Sequence, residues 1–211
     1  MKIVCISDTH GLHDSVIVPE GDVLIHAGDF TNEGEWEQVA SFNHWLGTLS
    51  HPLKIVIAGN HDFCFEREPA RAAKMITQAA YLLDDYACID GVKIYGSPWQ
   101  PRFYDWAFNL KRGEDIARKW ALIPDDTDVL VTHGPPWGFG DQVNYGPQQV
   151  GCVDLLDAVH RVKPRLHVFG HIHEAYGVFE DEDTTFVNAS LCTVDYRPVN
   201  PPIVFELSDI R

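Results

Sequence analysis

Metal-ligating side chains follow five short apolar segments of this chain. The segments end in Asp8 and His10, in Asp29, in Asn60, in His133, and in His171 and His173. A glycine stands beside most of these residues, and glycine lets the backbone turn sharply without the clash of a Cβ atom. Carboxylate, imidazole and amide groups without a thiolate suit divalent cations such as Mn²⁺, Fe²⁺ or Zn²⁺. Seven such groups exceed the needs of one ion, and they fit two ions that share a bridging carboxylate.

A pair of divalent cations at such a site would favour phosphoryl chemistry. Two ions about 3.5–4 Å apart can hold a bridging water, lower its pKa, and clamp the attacking and leaving oxygens of a phosphoryl group. Their positive charge would outweigh two aspartates and a hydroxide. The centre would therefore attract an anionic phosphate even in a chain whose formal net charge is −15.

Short apolar runs recur along the chain, and they predict β-strands that are covered on both faces. The runs are residues 3–6, 23–25, 54–57, 92–95, 128–131 and 165–169. In α/β sheets, ligands collect outside the carboxyl ends of the strands. The five strand ends that carry the candidate ligands are therefore expected to converge on one centre.

Helical patterns separate several of these runs, at residues 33–49, 69–80, 112–121 and 153–162. The last third of the chain predicts a strand meander over residues 178–179, 184–189 and 203–207, with a hairpin turn at the acidic run 180–183. Because helices and strands alternate early and strands dominate late, we expect an α/β layered fold with two sheets. A length of 211 residues predicts a single domain over 1–211.

The charge balance limits the partners. Lysine and arginine number 16 against 31 aspartate and glutamate residues, and so acidic a surface repels a polyanion. Binding to long nucleic acid is not expected, because it depends on many contacts between basic side chains and phosphates. The substrate is expected to be a small molecule, and the oligomeric state is left open.

Cysteine usage and hydropathy indicate a compartment. The five cysteines are widely spaced and form no CxxC pair, so we expect a reducing environment. The N-terminal apolar stretch is too short for a signal peptide, and no apolar run approaches the roughly 20 residues of a membrane span. We predict a cytoplasmic protein without a membrane partner.

The candidate ligands, in this order, resemble the signature of the calcineurin-like metallophosphoesterase superfamily. That signature is D-x-H, G-D, G-N-H-D/E, H and G-H-x-H, and here it runs from Asp8 to His173. The segments HAGDFT, KIVIAGNH, YGSPWQP, THGPP, RLHVFGHIHE and VNPPIV are similar more narrowly to the metallophosphoesterase-domain-containing subfamily.

The resemblance implies a four-layer αββα sandwich, in which two mixed sheets are flanked by helices. It also implies a dinuclear metal centre, with Mn²⁺ as the first candidate and Fe²⁺ or Zn²⁺ as alternatives. Carried over motif by motif, one metal would be bound by Asp8, His10, Asp29 and His173. The other would be bound by Asp29, Asn60, His133 and His171, with Asp29 as the bridge.

The resemblance further implies a hydrolase in which a metal-bridging hydroxide attacks phosphorus in line. His61 matches the family position that protonates the leaving oxygen. Asp62 is a candidate catalytic residue that orients His61, and its alternative is a simple turn carboxylate. The implied substrates are small phosphodiesters, with cyclic nucleotides as a candidate class.

Two loops near the predicted strand ends are rich in aromatic side chains and could form a substrate pocket. Trp99, Trp106 or Trp137 could stack on a base, and Arg102 could steer a phosphate; packing or surface solvation is the alternative for each.

Other functions of the same fold stay open. A phosphomonoesterase is compatible with the same motifs. A nuclease is disfavoured by the acidic balance. A non-catalytic scaffold is disfavoured because the chain retains the full ligand set.

Overall fold

The computed structural model describes residues 1–145 and 148–208 of the chain. The strands are β1 Lys2–Ile6, β2 Val23–His26, β3 Leu53–Val56, β4 Ala80–Tyr81, β5 Asp85–Ile89, β6 Val92–Ser97, β7 Gln100–Pro101, β8 Asn109–Leu110, β9 Val129–Thr132, β10 Leu166–Phe169, β11 Gly177–Glu180, β12 Thr185–Asn188 and β13 Ile203–Glu206. The α-helices are α1 Trp36–Thr48, α2 Phe63–Arg67, α3 Pro69–Met75, α4 Glu114–Trp120 and α5 Val153–Val162, and short 3₁₀ helices cover His13–Ser15 and His173–Ala175.

Two mixed sheets carry the fold. The first has the order β13-β1-β2-β3-β4, and the second has the order β11-β12-β10-β9-β6-β5. Strands β1 to β4 run parallel to one another, as do β6, β9, β10 and β12. Antiparallel strands close the edges at β13, β11 and β5.

Three apolar clusters alternate with the two sheets. Alternate residues of a strand point to opposite faces, so Ile3 and Cys5 lie in the cluster between the sheets, whereas Val4 and Ile6 face the helices. Helices α1, α2 and α3 cover the outer face of the first sheet, and α4 and α5 cover that of the second. This is the predicted αββα sandwich, and the fold prediction is confirmed.

Most predicted elements match observed ones to within a few residues, but helix α2 and strands β4, β5, β7 and β8 were not predicted. Two of the predicted elements also differ from the structure. The helix predicted over 69–80 ends at Met75, because the chain must extend again to form β4. The predicted C-terminal meander is only partly correct: β11 and β12 form the expected hairpin, but β13 pairs with β1 in the other sheet. That residues 1–211 form one domain stays a prediction.

None of the helices within the described residues combines the length and the apolar character needed to cross a bilayer.

His167 on β10 makes acid stability a test of this fold. It is fully buried, and its Nε2 lies 2.8 Å from the Thr132 hydroxyl. Burial lowers the pKa of His167 to about 3, whereas histidine in an unfolded chain has a pKa of about 6.5. Between these two values the unfolded chain binds a proton that the folded chain does not, so stability is lost as the pH falls through this range.

Between about pH 5.5 and 4.5 the free energy of unfolding should fall less steeply for His167→Gln than for wild type. We expect the two slopes to differ by about 1.4 kcal/mol per pH unit, which corresponds to one proton. Urea titrations of metal-free protein measure this slope. His160→Gln is the control, because the side chain of His160 is 58% exposed. Equal slopes for wild type and His167→Gln would contradict the burial argument.

Candidate metal centre

The carboxyl ends of five parallel strands from both sheets meet at one place, and the seven predicted ligands lie in the loops that follow them. Asp8, His10, Asp29 and His171 all have a positive φ, between 43° and 68°. Residues with a side chain rarely adopt this conformation, and it costs about 1–3 kcal/mol where it occurs. The surrounding structure therefore stabilises a strained backbone that aims these side chains inward.

One cluster contains Asp8, His10 and His173. Asp8 Oδ1 lies 3.2 Å from His173 Nε2 and 4.0 Å from His10 Nε2. The two imidazole Nε2 atoms are 3.3 Å apart. Asp8 also accepts hydrogen bonds from the His171 backbone and from the Ser190 hydroxyl, so its carboxylate is held in place.

A second cluster contains Asp29, Asn60, His133 and His171. His133 Nε2 lies 3.2 Å from Asp29 Oδ2 and 2.9 Å from Asn60 Oδ1. Ligand atoms of Asp29, His133 and His171 fall within 4.8 Å of one another, and Asp29 forms a further such group with His10. Asp29 thus lies between the two clusters, at the position of the predicted bridge.

The hydrogen bonds of two histidines test whether these clusters fit cations. His133 Nδ1 donates to the Ala27 carbonyl at 2.9 Å, and His173 Nδ1 donates to the Thr193 carbonyl at 3.0 Å. Nε2 of each ring then faces oxygen acceptors, so this contact is favourable only if Nε2 carries a proton or if a cation lies between the atoms. A bound divalent cation can take the place of that proton, so both clusters fit such an ion.

The electrostatics agree with this arrangement. Burial opposes a charge on His133, but the neighbouring Asp29 carboxylate outweighs burial and raises the pKa of His133 to about 9. Burial likewise opposes a charge on His173, and Asp8 raises its pKa to about 9. For His10, burial prevails and lowers the pKa to about 4. The site thus attracts positive charge at both clusters.

Glycines allow the carboxylates to approach the backbone. A Cβ atom on Gly170 would lie 2.0 Å from Asp8 Oδ2, and one on Gly59 would lie 2.3 Å from Asp29 Oδ1. Real side chains do not pack this closely, so each glycine is required by one candidate ligand.

We expect Gly170→Ala to displace Asp8, to lower the free energy of unfolding by about 1–3 kcal/mol, and to reduce metal content. Chemical denaturation and metal analysis of the purified variant measure the two effects. Gly47→Ala in α1 is the control, because its Cβ would meet only the flexible Gln78 side chain at 3.3 Å. Normal metal binding by Gly170→Ala would show that the close approach is not needed.

His61 stands beside the clusters. Its Nδ1 donates to the Asn32 carbonyl at 2.6 Å, and its Nε2 lies 4.0 Å from Asp29 Oδ2. The ring packs against Trp106 with centroids 4.2 Å apart and edge-on to His10 at 4.6 Å. Because Nδ1 is committed to a carbonyl, Nε2 is the atom free to exchange a proton with the site.

The Asp62 carboxylate has hydrogen-bond partners other than the predicted His61 ring. The hypothesis that it orients His61 is corrected here, because the Asn32 carbonyl holds the His61 ring. The buried Asp62 carboxylate instead accepts hydrogen bonds from the backbone N–H groups of Asp29, Thr31 and Gly59, and from the Thr31 hydroxyl, at 2.7–2.9 Å. It joins the two loops that carry Asp29 and Asn60.

We expect Asp62→Asn to lower the free energy of unfolding by about 1–3 kcal/mol, because an amide NH₂ would then face buried N–H donors. Urea unfolding measures this loss. A variant with unchanged stability but a reduced turnover number would instead support a direct role for Asp62 towards His61.

The predicted substrate residues divide into two groups. Trp106 lines a cleft of about 220 Å³ beside the ligands, which we call the metal cleft. Trp99 is part of the packing, with its indole N–H bonded to Asp84. Trp137 is 43% exposed and is absent from the lining of the metal cleft. Arg102 lies outside that lining as well and pairs with Asp105 at 3.1 Å.

The structure adds residues that the sequence analysis missed. The Tyr196 ring packs 4.7 Å from the His10 ring and 5.8 Å from the His173 ring, and it lines the metal cleft together with Phe103. Ser190 supports Asp8 through its hydroxyl. These residues lie outside the motifs, and only their neighbourhood in the fold identifies them.

This chain is similar to known proteins in sequence and in fold. The family model of calcineurin-like phosphoesterases matches residues 1–175. The human Metallophosphoesterase domain-containing protein 1 is 51% identical over 234 residues, which cover 100% of this chain and 72% of the human one. A UPF0046 protein of Caenorhabditis elegans is 41% identical over 219 residues, which cover 97% and 74% of the two chains. The crystal structure of TT1561 from Thermus thermophilus aligns with a TM-score of 0.58 at 14% identity, over 89% and 88% of the chains, and it shows the fold alone.

The chain therefore belongs to the calcineurin-like phosphoesterase family. Membership supports a phosphoesterase hydrolase that uses divalent metals, and the structure contributes candidate groups of metal ligands.

Proposed function

We propose that this protein is a dimetal-dependent phosphodiesterase that hydrolyses small phosphodiesters, with cyclic nucleotides as a candidate class. The observation that carries the proposal is the convergence of acceptor atoms from both sheets around Asp29. Family membership supports phosphoester hydrolysis as the reaction.

One cation would be held by Asp8, His10, Asp29 and His173, and the other by Asp29, Asn60, His133 and His171. When bound, two such ions supply positive charge to phosphoryl oxygens and lower the pKa of a water.

His61 would carry the proton chemistry. With Nδ1 fixed on the Asn32 carbonyl, a proton on Nε2 faces the metal cleft and can pass to the departing alkoxide. The His61 ring packs against both Trp106 and His10, which restricts its motion. Less conformational entropy is therefore lost when His61 donates its proton.

The metal cleft and the charge of the chain favour a small substrate. A volume of about 220 Å³ admits a phosphate group with its immediate substituents, and a net charge of −15 disfavours a nuclease acting on long strands. The same proposal includes Mn²⁺ as the native metal, with Fe²⁺ or Zn²⁺ as alternatives. It also includes a cytoplasmic site of action and no membrane or long nucleic-acid partner.

A substrate panel tests the function. Protein stripped with a chelator is reloaded with Mn²⁺, Fe²⁺ or Zn²⁺ and assayed on bis-p-nitrophenyl phosphate, p-nitrophenyl phosphate, 2′,3′- and 3′,5′-cyclic nucleotides, and single-stranded DNA. We expect diesters to be hydrolysed faster than the monoester or DNA. A preference for the monoester would indicate a phosphomonoesterase, and an inert protein with full metal content would indicate a scaffold.

A further inference from the structure

A second cavity adjoins the metal cleft on the side of the second sheet. It has a volume of about 420 Å³, and we call it the side pocket; its walls include Phe103, Pro135, Val143, His171 and Ile172. Phe103 and His171 line the metal cleft as well. The two cavities therefore adjoin each other at these two residues.

The walls of the side pocket are mainly apolar. Phe103 is 55% exposed, so its ring is available for contact with a ligand. Two arginines also line the pocket. Arg112 donates to the carbonyls of Val150 and Gly151 at 2.7 Å each, and Arg102 pairs with Asp105 at 3.1 Å. Both charges are thus engaged by neighbouring groups of the protein.

We propose that the side pocket binds an uncharged aromatic group of a phosphoester whose phosphate lies at the metal cleft. The proposal rests on the proposed function for the position of the phosphate. A pocket of this size with mostly apolar walls and few polar groups is typical of sites for compact organic ligands. The flat faces of Phe103, Pro101 and Pro135 favour an aromatic ring over a flexible or charged chain.

Phosphonates test the pocket without turnover, because their carbon–phosphorus bond is not hydrolysed by phosphoester chemistry. Calorimetry on Mn²⁺-loaded protein compares phenylphosphonate with methylphosphonate, which share the phosphonate group and differ in the organic group. We expect phenylphosphonate to bind roughly tenfold tighter or more, since burial of a phenyl ring removes much apolar surface from water.

Two variants locate the effect. Val143→Trp should fill the pocket and remove most of the phenyl preference, while the affinity for methylphosphonate stays the same. Phe103→Ala should reduce the preference by opening the wall between the cavities. Val178→Trp on β11, at a residue that is 51% exposed and absent from the pocket lining, is the control and should bind both probes as wild type does.

The outcomes separate this inference from the proposed function. Equal affinity for the two phosphonates, or an equal loss of both in Val143→Trp, would overturn the side pocket even if bis-p-nitrophenyl phosphate is hydrolysed. A phenyl preference that Val143→Trp abolishes would support the pocket even in a protein that hydrolyses no phosphoester.

Discussion

His61→Ala is expected to reduce kcat by about 10²–10⁴-fold, the usual contribution of a positioned proton donor, while leaving the metal content unchanged. The reason is geometric. Nδ1 of His61 is bound to the Asn32 carbonyl, and Nε2 faces the metal cleft. The loss should be larger for a 3′,5′-cyclic nucleotide than for bis-p-nitrophenyl phosphate, because an alkoxide needs the proton more than a p-nitrophenolate does.

Metal analysis decides between two roles for His61. The residue also falls in a group of possible ligand atoms with His10 and Asp29, so a parallel loss of bound metal would make it a ligand and contradict its role as a proton donor. His160→Ala is the matched control, since that histidine is largely exposed. It should keep both the rate and the metal content of wild type.

Asp29→Asn is expected to lower the affinity for both metals and to abolish most activity. Asp29 lies between the two clusters, 3.2 Å from His133 Nε2 and in one ligand group with His10. Residues that merely support a ligand change metal affinity by about 10–100-fold when mutated. Removal of a carboxylate that two ions share should therefore lower the metal affinity by about 100-fold or more.

Asp8→Asn is the informative partner of this variant. Asp8 belongs to the cluster with His10 and His173 alone, so its loss should remove about one metal per chain, whereas Asp29→Asn should remove both. Elemental analysis after gel filtration counts the ions, and Mn²⁺ titration gives the affinities. Asp105→Asn, at an exposed carboxylate, controls for the change in net charge. Two full sites in Asp29→Asn would refute the bridge.

Much of the layered architecture could be predicted from local patterns. Apolar runs such as residues 128–131 predicted the strands to within a residue or two, and the α5 pattern predicted its helix, Val153–Val162, at both ends. These features depend on neighbours in sequence, because burial on both faces of a strand or on one face of a helix sets the local spacing of apolar residues.

The candidate ligands could also be predicted, because each lies shortly after one of five strand ends and most have a neighbouring glycine that permits a sharp turn. The residues that contact and hold these ligands in place could not be predicted. Asp8 lies beside His173, which is 165 positions away in the chain, and it accepts a hydrogen bond from Ser190, at a separation of 182. No local pattern encodes such a pairing.

The sequence by itself determined the strands, the order of the motifs and the chemistry of the donor set. Only the tertiary structure decided that Asp62 ties loops together instead of holding His61, that Tyr196 covers the histidines, and that β13 joins the first sheet. The physical reason is that a side chain's chemistry and a strand's apolar pattern are local properties. Contact partners depend instead on how both sheets stack, and that stacking is set by the packing of the whole chain.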